Sequence, residues 1–525
     1  MIYPIGIQTF DQIIERGFVY VDKTDMVYSL ATEGKIYFLS RPRRFGKSLL
    51  LSTLRAYFEG KKNLFKELKI DALEHDWHVH RVFHFDFNGV DFTMPGALHM
   101  KIEGYLYDWE KGFGICSRVD TNLGSRFSRI LQATAEQTGR GAVVLIDEYD
   151  KPLLDVLEKE PELLEQNREI LKAFYSVFKL ADASLRFVFL TGVTKFSQVS
   201  VFSGFNQPKD ISMFDKYEAL CGITEEELHT QFAEPIREMA ASEDCTEEEI
   251  RQQLKRHYDG YHFSKEMTDI YNPFSVLNAF DSKDIRDFWF ASGTPTYLIR
   301  LMNHFHEGID QLSGMYYSQD EFVNYKADTE YPLPMIYQSG YLTIKDYDKR
   351  RKTFLLDFPN NEVKNGFLTL VASNYLKIKE NVSNLAQDLA FALEDGELDD
   401  FRQMLTSFLA SIPYTMRRKE SEPERERYFQ YTFYLLLRLM SVYTVLVEKE
   451  QSEGRVDGIV ETPQCVYIFE FKLDGTAAEA LKQIEAKGYA REYEAGARQV
   501  VKVGVSFSSQ TGTIEEWEVR KAYSI

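Results

Sequence analysis

The chain has 525 residues, 44% of them hydrophobic and 27% charged, a balance that excludes a disordered chain and, at this length, predicts two to four domains rather than one core. The formal net charge of −19 argues against broad, non-specific binding to nucleic acid, although a local basic groove remains compatible with it. Cys116, Cys221, Cys245 and Cys465 lie far apart without a C-x-x-C pair, which argues against zinc; with no apolar leader and no run near the ~20 residues of a span, a cytoplasmic chain without a membrane partner is expected.

Residues 1–35 read as an arm. Ile7 to Ile14 suit a short helix, and Tyr20 to Thr24 lead into a second one. Ile36 to Leu39 form a short apolar run fit for a buried strand, Ser40 to Gly46 a polar turn, and Lys47-Ser48 open an apolar-rich helix that stops at Gly60. Strand, loop and helix in that order are the setting of a phosphate-binding P-loop, G-x-x-x-x-G-K-[ST]. The loop amides over Arg43, Arg44, Phe45 and Gly46 would face an anion, Lys47 would reach its outer phosphates, and Ser48 would hold Mg²⁺. Arg41 stands where the first glycine is expected, which the backbone tolerates if φ there is negative. An ordinary strand–turn–helix with a basic surface loop has the same local pattern, so a second signal has to decide.

That signal is Val143 to Ile146, four apolar residues that end in Asp147 and Glu148. Asp147 at the strand's carboxyl end would hold the Mg²⁺ shell, and Glu148 would orient or deprotonate the attacking water. Between the two motifs, Val82 to Phe87 read as a strand whose Asp86 is more simply a strand-end acid than a phosphate neighbour. Pro161 to Leu180 carry a helical period, and Arg186 to Leu190 form a further strand. It ends in Thr191 to Lys195, where Thr191 and Thr194 are candidate γ-phosphate sensors and Lys195 could add charge. Helices alternating with buried strands predict an α/β, doubly wound parallel sheet of P-loop NTPase type with ATP at the strands' carboxyl ends.

From Thr224 to Phe290 the pattern is helical, interrupted by YDGYHF and YNPF, as in a helical lid. The acidic triplets at 225–227 and 247–249 read as solvated helix faces or loops. Met335 to Ser339 suit a short helix, and Tyr341 to Tyr347 and Thr353 to Phe358 a hairpin, which together predict a winged-helix-like segment. Its tip, Lys349 to Lys352, would touch phosphates or be a solvated turn. Asn381 to Pro413 are helical and acidic, a connector.

The last hundred residues predict the order α-β-β-β-α-β. The helix runs over Glu426 to Tyr443. Strands follow at Val445 to Glu448, Arg455 to Val460 and Val466 to Lys472, then a helix at Thr476 to Tyr493 and a strand at Val500 to Phe507. Asp457 interrupts one strand, and Glu470 and Lys472 lie two apart on one face of the next. Burying these groups is costly unless they pair or bind metal. Two carboxylates a hairpin apart can hold Mg²⁺, and a neighbouring lysine can position the water that attacks a phosphodiester. A structural salt bridge from Lys472 to either acid is the alternative.

The stretches YVDKT, FLSRPRRFGKSLLLSTL, VVLIDEYDKPL, TGVTKFS, YDGYHF, YNPFSVL, QSGYLTIKDY, GRVDGIVETP, YIFEFKL and ALKQIEAKGYA span nearly the whole chain. In them the chain resembles a bacterial family of predicted AAA-ATPase-like proteins that carry a C-terminal PD-(D/E)xK nuclease-superfamily domain. The resemblance implies that RPRRFGK is the family's own loop and that Asp457, Glu470 and Lys472 are the nuclease core, with Val456 in place of the proline of the PD half. It also implies that Gln483 and Tyr489 belong to the accompanying helix motif, and that Glu426 or Glu448 is a further acidic ligand. The domain limits expected are 1–215 for the ATPase core with its arm, 216–300 for the lid, 301–380 for the winged segment, 381–423 for the connector and 424–525 for the nuclease-like domain. ATP and Mg²⁺ are the expected cofactors and nucleic acid, DNA before RNA, the expected partner; a homo-oligomer is compatible. Two functions follow: an ATP-driven, metal-dependent nuclease suited to defence against, or processing of, foreign DNA, or a non-catalytic ATP switch whose nuclease fold only binds.

Overall fold

A computed structural model describes residues 1–115, 122–157, 159–195, 208–292, 298, 312–323, 331–376, 382–412, 422–440, 444–451, 454–494 and 496–522. These fall into two compact units, one ending at Val363 and the other beginning at Lys364.

The first unit is built on five parallel strands: β1 (Ile36–Ser40), β2 (Val82–Asp86), β3 (Ala142–Asp147), β4 (Leu185–Gly192) and β5 (Lys209–Asp210), in the order β2-β3-β4-β1-β5. β3 is buried at each of its six positions, as expected of a strand covered on both faces. The helix Lys47–Phe58 follows β1 and buries Leu50, Leu51, Leu54 and Phe58. The arm's helices are Phe10–Glu15 and Thr24–Glu33. Two helices between β2 and β3, Ala97–Phe113 and Leu123–Thr138, went unread in the sequence. The stretch expected as one helix to Leu180 breaks into Pro161–Tyr175 and Val177–Leu180. At the break the Ser176 hydroxyl donates to the Ala173 carbonyl at 2.7 Å, the local bond by which serine competes with helix continuation.

Beyond the sheet come the helices Glu225–Gln231, Ala233–Ser242, Glu247–Tyr258 and Pro273–Ser282, with a two-strand ribbon of β6 (Ile223–Thr224) and β7 (Ile270–Tyr271). The two acidic triplets are first turns, each under a capping box, from Thr224 with Glu227 and from Thr246 with Glu249. Negative charge there complements the helix dipole. Leu228, Phe232, Ile236, Leu254 and Phe280 close a core of their own. The predicted hairpin is β9 (Thr343–Asp348) and β10 (Thr353–Asp357), preceded by a third strand, β8 (Met315–Ser318), on β10. YDGYHF is tied to this hairpin. Lys345 Nζ donates to the carbonyls of Gly260 and Pro359, each at 2.8 Å, and the His262 amide donates to Thr343 Oγ1 at 2.8 Å.

In the second unit the acidic connector is two helices, Val382–Glu394 and Leu398–Ser411, parted at Gly396 with φ +76°. The helix Glu422–Leu439 precedes a mixed sheet of β11 (Thr444–Gln451), β12 (Gly454–Glu461), β13 (Cys465–Leu473), β14 (Gln499–Phe507) and β15 (Ile514–Ala522), in sequential order with only β13 and β14 parallel. The helix after β13 covers Ala477–Ala486 and resumes at Arg491–Glu494, past Gly488 at φ +63°. β15 is an addition to the predicted order. Its Glu, Arg and Lys suit an edge strand and hid its sheet character in the sequence.

Candidate functional site

Three successive carbonyls of the loop after β1 are held by side chains. Lys47 Nζ donates to the carbonyls of Arg41 (3.0 Å) and Pro42 (2.9 Å), and Trp289 Nε1 donates to that of Arg43 (3.0 Å). Arg44 and Gly46 take positive φ, +68° and +88°, the left-handed geometry that turns successive amides toward one point and makes an anion nest. Arg41, outside that region, is buried. Its guanidinium donates to the carbonyls of Ser40, Ser212 and Tyr217 and lies 4.0 Å over the Phe263 ring. The arginine in the glycine position therefore braces the loop from behind. Phe45 is likewise a core residue, edge-on to Tyr261 at 4.7 Å, and it forms part of the wall of the apolar pocket beside Gly46. Arg43 and Arg44 are exposed.

At the sheet's carboxyl end, Asp147 accepts from Ser48 Oγ on Oδ2 and from Thr191 Oγ1 on Oδ1, each at 2.6 Å. Ser48 and Asp147, expected to share a metal shell, are thus hydrogen-bonded, and the candidate sensor Thr191 meets the same carboxylate. Lys47 is buried beside them; burial pushes its ammonium below the ordinary range, and Glu148 and Asp147 oppose this. Glu148 stands at φ +50°, a conformation a non-glycine residue holds only when its surroundings enforce it. Burial pushes its carboxyl up and Lys47 opposes, the direction required of a proton acceptor working near neutrality.

The sequence reading missed Asp150. Fully buried, it accepts from the amides of Val193 (3.0 Å) and Thr194 (2.6 Å) and from Thr194 Oγ1 (2.7 Å). Thr194 therefore serves the acid after the strand, and Lys195 pairs with Asp210 at 2.6 Å. Asp86 accepts from the Asn88 amide at 2.8 Å, the strand-end role. Beside Gly46 opens an apolar pocket of about 100 Å³, bounded by Val19, Tyr20 and Val21 of the arm, Ile223, and Leu277. No motif signals it, because its walls come from four separated stretches.

In the second unit, Asp457, Glu470, Lys472 and Gln483 come together. Asp457 Oδ2 accepts from the Phe471 amide at 2.9 Å; Lys472 Nζ lies 3.3 Å from Glu470 Oε1 and 2.8 Å from Gln483 Oε1. The close approach of the helix depends on Gly504 of β14, where a Cβ would stand 2.3 Å from the Ala477 carbonyl. Glu470 is 1% exposed, and its Oε2 is buried without a hydrogen-bond partner. Burial, then Asp457, pushes its carboxyl up to about 8. An oxygen-seeking divalent cation fits that orphaned atom and the charge beside it. Tyr489 is buried in the apolar cluster with Ile459 and Leu481. The side chains of Glu426 and Glu448 lie outside the described residues. Lys349, Arg350, Arg351 and Lys352 are exposed on the turn between β9 and β10, which Asp348 caps through the Arg350 and Arg351 amides.

Family models match two segments: a predicted AAA-ATPase over residues 4–202 and the PD-(D/E)XK nuclease superfamily over 424–517. A relative from Azotobacter chroococcum mcd 1, described as an uncharacterized protein in the vnfD 5' region, is 35% identical over 520 residues, 97% of each chain. Among solved structures, the Aeropyrum pernix Orc1 protein in complex with DNA matches over 84% of this chain and 89% of that one, at 12% identity and a TM-score of 0.23, too slight a likeness to build on. Among the described residues no helix is long and apolar enough to cross a membrane.

Proposed function

Because the chain belongs to the family of predicted AAA-ATPase-like proteins with a C-terminal PD-(D/E)XK nuclease-superfamily domain, we propose that it hydrolyses ATP and uses that cycle to govern a metal-dependent phosphodiesterase acting on nucleic acid, DNA first. The observation that carries the nuclease half is the buried, unpartnered Oε2 of Glu470 beside Asp457 and Lys472. Asp457 and Glu470 hold the divalent cation, which when bound supplies charge stabilisation to the phosphate. Lys472, fixed by Gln483, orients the attacking water and meets charge that develops on the phosphate.

In the first unit the loop amides cradle the phosphates, Lys47 leaves the Arg41 and Pro42 carbonyls to reach them, and Ser48 with Asp147 holds Mg²⁺. Glu148 takes the proton of the attacking water. Thr191, bonded to Asp147, registers the γ-phosphate, and the base sits in the apolar pocket beside Gly46. Residues 216–300 then act as the lid and 301–380 as the winged segment, whose Lys349–Lys352 tip meets phosphates. Protection against, or processing of, foreign DNA in the cytoplasm suits these activities.

The net charge of −19 favours the rival, an ATP switch that binds without cutting. Labelled DNA and RNA, single and double stranded, incubated with the protein and Mg²⁺ or Mn²⁺ with and without ATP, separates them. Cleavage that needs metal and responds to ATP is expected. Hydrolysis of ATP with no cleavage of any substrate leaves the switch.

A further inference from the structure

Away from both centres, three carboxylates converge where the helical segment meets YDGYHF. Glu225 opens the helix Glu225–Gln231, Asp259 caps the end of the helix Glu247–Tyr258, and Asp269 precedes β7. One oxygen of each lies within 4.8 Å of the others. Opposite ligands around Ca²⁺ stand about 4.6–5.2 Å apart, twice its 2.3–2.6 Å bond, so these atoms already fit within one coordination sphere.

The independent sign is Asp259. It is 1% exposed, and neither carboxylate oxygen has a side-chain hydrogen-bond partner; the Gly260 amide is the backbone donor beside it. It also stands at the carboxyl end of its helix, where the dipole disfavours an anion. Burial, then Asp269, pushes its carboxyl up to about 7. Two ammoniums face the three carboxylates: Lys345, buried on the hairpin side and attracted to Asp259 and Asp269, and Lys255. Lys255 Nζ is 3.1 Å from Asp269, 3.4 Å from Glu225 and 3.7 Å from Asp259, the last beyond hydrogen-bond reach. Its side chain is 49% exposed, free to withdraw into water.

Among the described residues the neighbouring imidazoles already face the carboxylates, His229 Nε2 lying 3.0 Å from Glu225 Oε1. His262 Nε2 faces Asp269 Oδ1 at 2.8 Å and Nδ1 faces the Ile344 carbonyl at 2.7 Å, while Tyr271 Oη donates to Glu225 at 2.7 Å. An all-oxygen set suits a hard cation, and three carboxylates converging from separate elements, without octahedral order, suit Ca²⁺ better than Mg²⁺.

We propose that Glu225, Asp259 and Asp269 form a binding site for a hard divalent cation of the calcium class, with Lys255 as the internal cation it displaces. The ion would clamp two helices to YDGYHF and, through His262 and Lys345, to the hairpin. The site rests on neither the nucleotide nor the nuclease reading.

The test is calorimetric titration of CaCl₂ at pH 8 into full-length protein carrying Lys47→Ala and Asp457→Ala, without nucleotide, with melting followed in parallel. One saturable equivalent and a raised melting temperature are expected. Lys255→Gln should tighten binding by about tenfold or more, because a competing cation is gone, whereas a plain salt-bridge cluster would only be destabilised by that change. Asp259→Asn should abolish the equivalent. If that variant misfolds by near-ultraviolet dichroism, Asp269→Asn decides. Absence of a saturable equivalent, unchanged affinity in Lys255→Gln, or an equivalent that survives both asparagine variants overturns the site.

Discussion

Lys47, Asp147 and Asp150 at the proposed nucleotide site each meet partners from their own chain, whereas Glu470 in the second unit holds one buried oxygen with no partner. Both centres are polar and buried, so burial alone does not distinguish them. The first, apart from Arg41 Nε behind the loop, has the hydrogen bonds of Lys47, Asp147 and Asp150 in place, and ligand binding there would exchange one set for another. The second carries an unmet electrostatic demand that only a proton or a cation satisfies. Mg²⁺ alone should therefore bind at the Glu470 cluster of the second unit and do little at the Ser48–Asp147 cluster of the first.

The largest effect that would break this contrast is on cleavage. Asp457→Ala or Glu470→Ala should abolish metal-dependent cutting and spare ATP hydrolysis. Lys472→Ala should keep the metal and lose roughly 10²–10³ in turnover, the usual scale for one charge-stabilising donor. If these variants instead only lose stability, by roughly 3–5 kcal/mol as for a broken buried ion pair, the cluster is a salt bridge. Next comes hydrolysis. Glu148→Gln should slow it by roughly 10²–10⁴ while nucleotide still binds, and Lys47→Ala should weaken binding itself, both read by equilibrium binding and phosphate release. Parent-like hydrolysis by Glu148→Gln would remove that residue as base.

A smaller effect is the pH dependence of melting. Glu470 holds its proton more tightly folded than unfolded. Its contribution is fully present below the ordinary carboxyl range, is lost as pH rises to about 8, and stays lost above. Metal-free melting of the second unit should fall over that window, about 2–4 °C for each kcal/mol at this size. Glu470→Gln should flatten the fall, and Mg²⁺ or Mn²⁺ should reverse it only in the parent. A flat metal-free profile would show that the carboxylate is satisfied after all. The smallest effect concerns the hairpin tip. Alanine at Lys349, Arg350, Arg351 and Lys352 should lower the salt slope of duplex binding by about 0.9 for each phosphate no longer neutralised; an unchanged slope assigns the tip to solvent.

What the sequence displayed is what local grammar encodes. GKS, the acid pair after Val143–Ile146, and Glu470-x-Lys472 are short, and each sits on an element whose period is readable, so the parallel sheet and the two residue clusters could be anticipated. What it concealed depends on distant partners. Asp150 is one more acid after a strand until Thr194 is brought to it. Trp289 carries no mark of its bond to Arg43. Arg41 looked like a damaged glycine position until Ser212 and Tyr217 supplied its acceptors. The charged face of β15 and the helix stops at Gly396 and Gly488 were hidden for a simpler reason: edge strands and positive-φ glycines interrupt the apolar period that marks an element.

The bond from Trp289 to the Arg43 carbonyl has a practical sequel. Indole emission responds to the polarity around its N–H, and this N–H is held by the very loop that phosphate entry must disturb. The protein thus carries its own fluorophore at the proposed nucleotide loop. Stopped-flow recording of its emission can time nucleotide arrival and departure without a dye, and Trp289→Phe is the control that subtracts Trp77, Trp109 and Trp517.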